Sequence, residues 1–176
     1  MIKNGFRLAL MATAIVSAGC AANVRKDNGG SVKVNTESAK ALVLNISGST
    51  ESVSAPEWES FKRVWNDACG QEAASIGAAF SIQTGETKWT GQPGTIVAVD
   101  ILDYRYITAA MRYAVGGMSG NAYIDARVNF LDLGSGLSLG THAYNTSSVY
   151  WQSVFSAVTV KQVRAICHEI IVELAH

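Results

Sequence analysis

Two prolines, three histidines and three cysteines are all that this 176-residue chain holds of those types, and neither sign of charge is in excess, with 14 basic and 14 acidic side chains. Each scarcity excludes a class of function. A balanced charge argues against bulk nucleic-acid binding, which runs on clustered Lys and Arg neutralising phosphates. With Val172 standing four residues after His168, the His168–Glu169 pair lacks the second histidine of a zinc-protease helix. No Cys-x-x-Cys supports a redox role. No Gly-x-Ser-x-Gly elbow, P-loop or dinucleotide fingerprint is present either. No apolar run approaches the ~20 residues of a membrane-spanning helix. What remains is 48% hydrophobic and 16% charged, with 16 glycines spread along the chain. That is the composition of one ordinary folded domain, richer in turns and strands than in long helices.

The N-terminus carries an address. Lys3 and Arg7 precede an apolar stretch from Leu8 to Val16, and small residues Ser17, Ala18 and Gly19 lead to Cys20. A basic start, an apolar run and small residues before a cut describe an export signal. Val16-Ser17-Ala18-Gly19-Cys20 resembles the lipobox of bacterial lipoproteins, and the alternative is an ordinary secretory peptide with a chance cysteine. The resemblance implies removal of residues 1–19 and acylation of Cys20, which would attach the protein to a membrane. Ala21 and Ala22 follow where an inner-membrane lipoprotein tends to carry aspartate, so it also implies the outer membrane, periplasmic face. Residues 20–39 are small and polar and read as a lipidated, flexible tether. The remaining 40–176 read as a single domain.

Within that domain Ala41 to Ile46 reads as a buried strand. Pro56 and Glu57 mark a helix start, followed by Trp58, Phe61, Trp65, Ala68, Cys69 and Ile76 at helical spacing. Phe80 to Gln83 is a brief strand. In Thr95 to Thr108, Val97, Val99 and Ile101 share one parity and Tyr104 and Tyr106 the other, which predicts a β-bulge at Leu102–Asp103. Ala122, Ile124, Ala126, Val128 and Phe130 alternate with polar residues, and Leu137, Leu139 and Ala143 do the same. A two- or four-residue connection through Ser135 and Gly136 then sets Val128 opposite Ala143, Arg127 opposite Tyr144 and Asn129 opposite His142. A closing helix follows, capped by Thr159, with Val160, Val163, Cys167, Ile170, Ile171 and Leu174 as its apolar stripe. The fold class is α+β: a mainly antiparallel sheet with two helices covering one face.

The segment from Gly117 through Gly120, Ala122, Ile124, Ala126, Val128 and Phe130 to Asp132 and Gly136, with the early Val43-Leu44-x-Ile46 strand and the lipobox, resembles a family of bacterial lipoproteins. Its domain has a Gly-rich strand and an Asp-x-x-(Ser/Thr)-Gly hairpin, and no assigned activity. A weaker similarity is to periplasmic accessory lipoproteins that contact cell-wall enzymes or secretion pores. The resemblance implies no cofactor and no catalytic residue.

Chemistry is sparse. Asp100, Asp103, Asp125 and Asp132 show no pattern of facing acids, and Asp132 sits where aspartate serves turn hydrogen bonds. The expectation is therefore a protein that is not an enzyme and holds no metal. Cys69 and Cys167, the pair left once Cys20 is acylated, lie on the apolar stripes of both helices and in an oxidising compartment would form a disulfide, the alternative being two buried thiols. Tyr123, Arg127, His142 and Tyr144 are expected on the uncovered sheet face, either as a solvated cation–π pair or as a mixed aromatic and polar binding surface. The function so read is an outer-membrane lipoprotein that binds another envelope component, whether protein or cell wall. The alternative is an oligomerising subunit of an export or pore assembly.

Overall fold

The computed structural model describes residues 23–27, 29–106, 121–147 and 158–175. Cys20 and the motif glycines Gly117 and Gly120 lie outside them. The elements in order are β1 (Val24–Lys26), a single 3-10 turn (Ser38–Lys40), β2 (Ala41–Gly48), α1 (Thr50–Ser54), α2 (Trp58–Ser75), β3 (Ala79–Gln83), β4 (Thr95–Arg105), β5 (Tyr123–Asp132), β6 (Ser138–Ser147) and α3 (Val158–Leu174). The six strands form one sheet in the order β1-β6-β5-β4-β2-β3. β2 runs parallel to β3 and β4, and the other pairs are antiparallel. The fold is α+β, with α2 and α3 packed against one face.

Parity explains the core. Leu42 and Leu44 of β2 and Val97, Val99 and Ile101 of β4 face the helices, joined by Ile124, Ala126, Val128 and Phe130 of β5. The register of β4 slips between Ile101 and Asp103, as the sequence predicts. That slip restores Tyr104 to the covered face, where its ring stacks on Phe61 with centroids 4.2 Å apart. On α2, Trp58, Phe61, Trp65, Ala68 and Cys69 are buried as expected, whereas Ile76 follows the helix as its exposed C-cap. On α3 the stripe is Val163, Ile166, Cys167, Ile170, Ile171 and Leu174, and Val160 instead points outward. Cys69 and Cys167 are bonded across the two helices. They lie 98 residues apart, and a loop of that order constrains the unfolded chain by about 4–5 kcal/mol in the chain-entropy model.

Two expectations need correction. Residues 24–27 and 29–39 are not a free tether. β1 pairs with β6, Val32 joins the core, and Ser38 is buried where the Thr95 hydroxyl donates to its carbonyl. The small polar composition of this stretch hides an extended strap held by backbone pairing to β6 and by side-chain bonds to α3. The second correction is the hairpin register. Asp132 and Leu137 close a four-residue connection, through a bond from the Asp132 N–H to the Leu137 carbonyl. Beyond it Leu131 pairs with Ser138 but Phe130 with Gly140, so Leu139 is an extra, bulged residue. One inserted residue exchanges the two faces of a strand. Val128 therefore lies opposite His142, Ala126 opposite Tyr144, and Arg127 opposite Ala143.

The second face is partly covered as well. Leu133 folds back over Val43 and Ile96 to make a small separate core. The chain between β3 and β4 crosses the same end, with the Asn45 amide donating to the Gly85 carbonyl and the Thr90 N–H to the Leu133 carbonyl. Gly136 permits the closure. Its φ of +75° suits a residue without a side chain, and the Trp89 ring lies where a Cβ would be.

Tyr144 provides a test of the register. Its ring is fully buried, and its hydroxyl finds no partner among the described residues. Removing that oxygen relieves a desolvated polar group, so Tyr144→Phe should leave stability unchanged or raised. Tyr144→Ala should cost about 3–5 kcal/mol as an aromatic core truncation. Urea midpoints of the two variants read the difference.

Candidate functional site

The four residues expected to share one surface do not. Arg127 is exposed and Tyr123 half-buried on the uncovered face, where the Tyr123 hydroxyl donates to Asp103 Oδ2 at 2.9 Å. His142 and Tyr144 lie beneath the helix layer, His142 at 2% exposure. The bulge at Leu139 is the physical cause, and no Arg127–Tyr144 cation–π pair forms across the hairpin. The polar face that remains carries Asp100, Asp103, Asp125, Arg127, Asn129 and Thr141, with Thr141 Oγ1 donating to Asn129 Oδ1. The Ser47 hydroxyl donates to Asp100. Asp132 accepts from the Ser135 hydroxyl and N–H, both at 2.7 Å. Those bonds hold its carboxyl below the usual range, the turn role the sequence indicates.

Chemistry gathers instead around His142. Its ring stands edge-on to Phe130 and Tyr144. Nδ1 lies 3.1 Å from Asp27 Oδ1, and Nε2 lies 3.3 Å from Glu173 Oε1. Sequence reasoning missed both partners, because Asp27 falls in the apparent tether and Glu173 on a helix near the chain's end. Glu173 also accepts from Lys26 Nζ at 2.6 Å and from the Val32 N–H. One carboxylate thus ties the strap to α3 at two points and the His142 ring to α3 at a third. Gly29 lies so close to the imidazole that a Cβ there would stand 2.7 Å from Nδ1. The cluster surrounds the imidazole and does not converge on an empty point. Among the described residues no group of side chains is arranged to hold a metal ion.

The electrostatics follow from these contacts. The bond to His142 first, and the Ala143 backbone after it, hold the Asp27 carboxyl below its ordinary value. For Glu173, burial acts to raise the carboxyl, and the Lys26 bond, the Val32 N–H and nearby positive charge together outweigh it, leaving it lowered. Tyr144 is pushed upward by burial first and by Glu173, Glu169 and Asp27 after it. On the outer surface of the helix layer, His168 Nδ1 lies 3.1 Å from Glu72 and Arg164 bonds Gln71, so His168 and Arg164 bridge α2 and α3.

Depressed carboxylates contribute stability that is fully present above their ordinary values, 3.8 for Asp27 and 4.5 for Glu173, and is lost as pH falls through the lowered folded-state values. The urea midpoint of the protein should therefore exceed that of Glu173→Gln near neutral pH. The gap should close as pH falls below the ordinary carboxylate range. A gap independent of pH would show that the charge of Glu173 contributes nothing.

No protein-family model and no curated protein matches this sequence. The fold does have counterparts among solved structures. A PelC dodecamer from Paraburkholderia phytofirmans superposes with a TM-score of 0.52 at 12% identity, over 86% of this chain and 95% of that one. A second crystal form gives 0.51 at 12% identity, over 86% and 96%. A DUF330 protein from Xanthomonas campestris matches with a TM-score of 0.46 at 12% identity, over 80% and 88%. At such identity the likeness to PelC is one of fold alone.

Proposed function

We propose that this protein is a lipid-anchored component of the bacterial outer membrane that works as one subunit of an assembly of its own copies, of the kind that serves export or a pore. The observation that carries the reading is the shared fold with a protein crystallised as a dodecamer, PelC, over 86% of this chain. The sheet edges support it. β1 and the strap residues beyond it follow the outer edge of β6, whereas β3 has a pairing partner on one side only among the described strands. β3 carries no charge and no proline, and Ile82 on it is 48% exposed. Natural sheets protect such edges or use them to pair with another chain. Beside it a hollow between α2 and β3 is lined by Glu59, Lys62, Arg63, Asn66 and Ile82. Asn66 Oδ1 is buried there without a partner among the described residues.

The anchor belongs to the same proposal. Acylated Cys20 would hold the chain at the end of β6 remote from the 133–136 connection, because Val24 pairs with Thr146. Binding of another envelope component through Tyr123, Arg127, His142 and Tyr144 loses its support, since two of the four are enclosed.

Light scattering on the delipidated protein should give a mass that is a multiple of the chain mass. Ile82→Lys should reduce that mass with an unchanged circular dichroism spectrum. A monomer at every concentration would overturn the assembly. Cys20→Ser should leave uncleaved precursor in the inner-membrane fraction, and a mutant that matures normally and fractionates with the outer membrane would overturn the anchor.

A further inference from the structure

The His142 cluster holds down a strap, and its chemistry makes the hold conditional. A neutral imidazole has one N–H and one lone pair, whereas the imidazolium donates from both nitrogens. Here both nitrogens face carboxylate oxygens, Asp27 on one side and Glu173 on the other. Carboxylates only accept, so the neutral ring can satisfy one of them and must turn a lone pair toward the other. The charged ring satisfies both.

The groups around the ring can be named element by element. The strap brings Lys26 and Asp27, with Lys33 at the mouth of a hollow that Ser31, Val32, Val34 and Glu173 also line. α3 brings Glu173, with Glu169 one turn before it, and β6 itself brings Tyr144. β5 presents Phe130, which does not titrate. Lys26 neutralises one charge of this set through its bond to Glu173. Asp27 has no other cation within ion-pair distance among the described residues, so the pairing of Asp27 rests on His142.

Besides His142, the strap is fastened by the Lys26 and Val32 bonds to Glu173 and by the buried Val32 side chain, and its backbone contacts are few. β1 spans three residues. Beyond it the strap meets β6 through the Asp27 N–H to the Ala143 carbonyl and the Lys33 N–H to the Leu139 carbonyl, the latter at 3.4 Å. We propose that the strap formed by residues 24–27 and 29–33 is a proton-controlled clasp: the doubly protonated His142 locks it onto β6 and α3, and loss of one proton releases it. Release would uncover the outer edge of β6. It would also let residues 24–33 extend to roughly 35 Å, lengthening the reach between Cys20 and the sheet.

Amide exchange followed by NMR on the full protein tests the clasp. Protection factors of the Asp27, Val32 and Lys33 amides are measured from about pH 5 to 8, where an imidazole changes charge and the carboxylates do not. They should fall about tenfold or more relative to amides of β4 and β5, as a charge-assisted bond gives way to opposed acceptors. The midpoint should coincide with the titration of the His142 ring followed by its own proton signals. Asp27→Asn, a change at a half-exposed side chain, should lower protection at the acid end and flatten the pH response. His142→Gln should abolish the response. Protection that does not vary with pH in the unmodified protein would overturn the proposal. So would a response that persists unchanged in Asp27→Asn.

Discussion

One inserted residue, Leu139, organises the region where the strap meets α3. Without that bulge the odd-numbered side chains of β6 would face the helices. With it, His142, Tyr144 and Thr146 turn inward beside Val128, Ala126 and Ile124. A buried donor or acceptor left alone costs more than a bond gains, a cost that the Tyr144 hydroxyl carries among the described residues and that Thr146 and His142 avoid. Thr146 is matched within the sheet, its hydroxyl accepting from the Ile124 N–H. His142 cannot be, since its neighbours on β5 are apolar. Its partners come from outside the sheet, from Asp27 on the strap and Glu173 on α3. The N-terminal segment is therefore ordered by a side chain more than a hundred residues away in sequence.

Much of the architecture is legible wherever burial and periodicity agree. Trp58, Phe61 and Trp65 mark α2, the parity change at Leu102 marks the bulge in β4, and the cysteines fall on the facing stripes of α2 and α3. The hairpin misleads for a physical reason. Leu137 and Leu139 extend the apolar alternation of β6, yet Leu137 is 70% exposed beside the turn and Leu139 is the bulged residue. Two leucines outside the regular register thus outweigh the inward Tyr144 and Thr146 in any pattern count. The candidate site was legible only as single residues. Tyr123 and Arg127 lie on the expected face, but the cluster that forms depends on contacts between positions 27, 142 and 173 that no local spacing records. Composition misleads at the strap too, since backbone pairing to an edge strand leaves no mark on side-chain polarity.

The two edges of the sheet are finished differently. The β6 edge is followed by the strap, and among the described residues no strand pairs with the outer edge of β3, beside the polar hollow of α2. A subunit with one covered and one open edge suits head-to-tail contact, the geometry that closes into rings. In the assembly proposed here, the clasp would decide whether the second edge is also available. If Cys20 is acylated as proposed, the anchor and the edge would be coupled through the same segment, because a pull on Cys20 would reach β1 first.

The account stands or falls on the pairing of β5 with β6, and cross-strand proton–proton contacts read that pairing directly. Nuclear Overhauser effects between backbone protons should connect Val128 with His142 and Arg127 with Ala143, together with side-chain contacts from His142 to Phe130. Contacts connecting Val128 with Ala143 and Arg127 with Tyr144 would place His142 on the open face. The bulge, the buried imidazole and the clasp would then all be contradicted together.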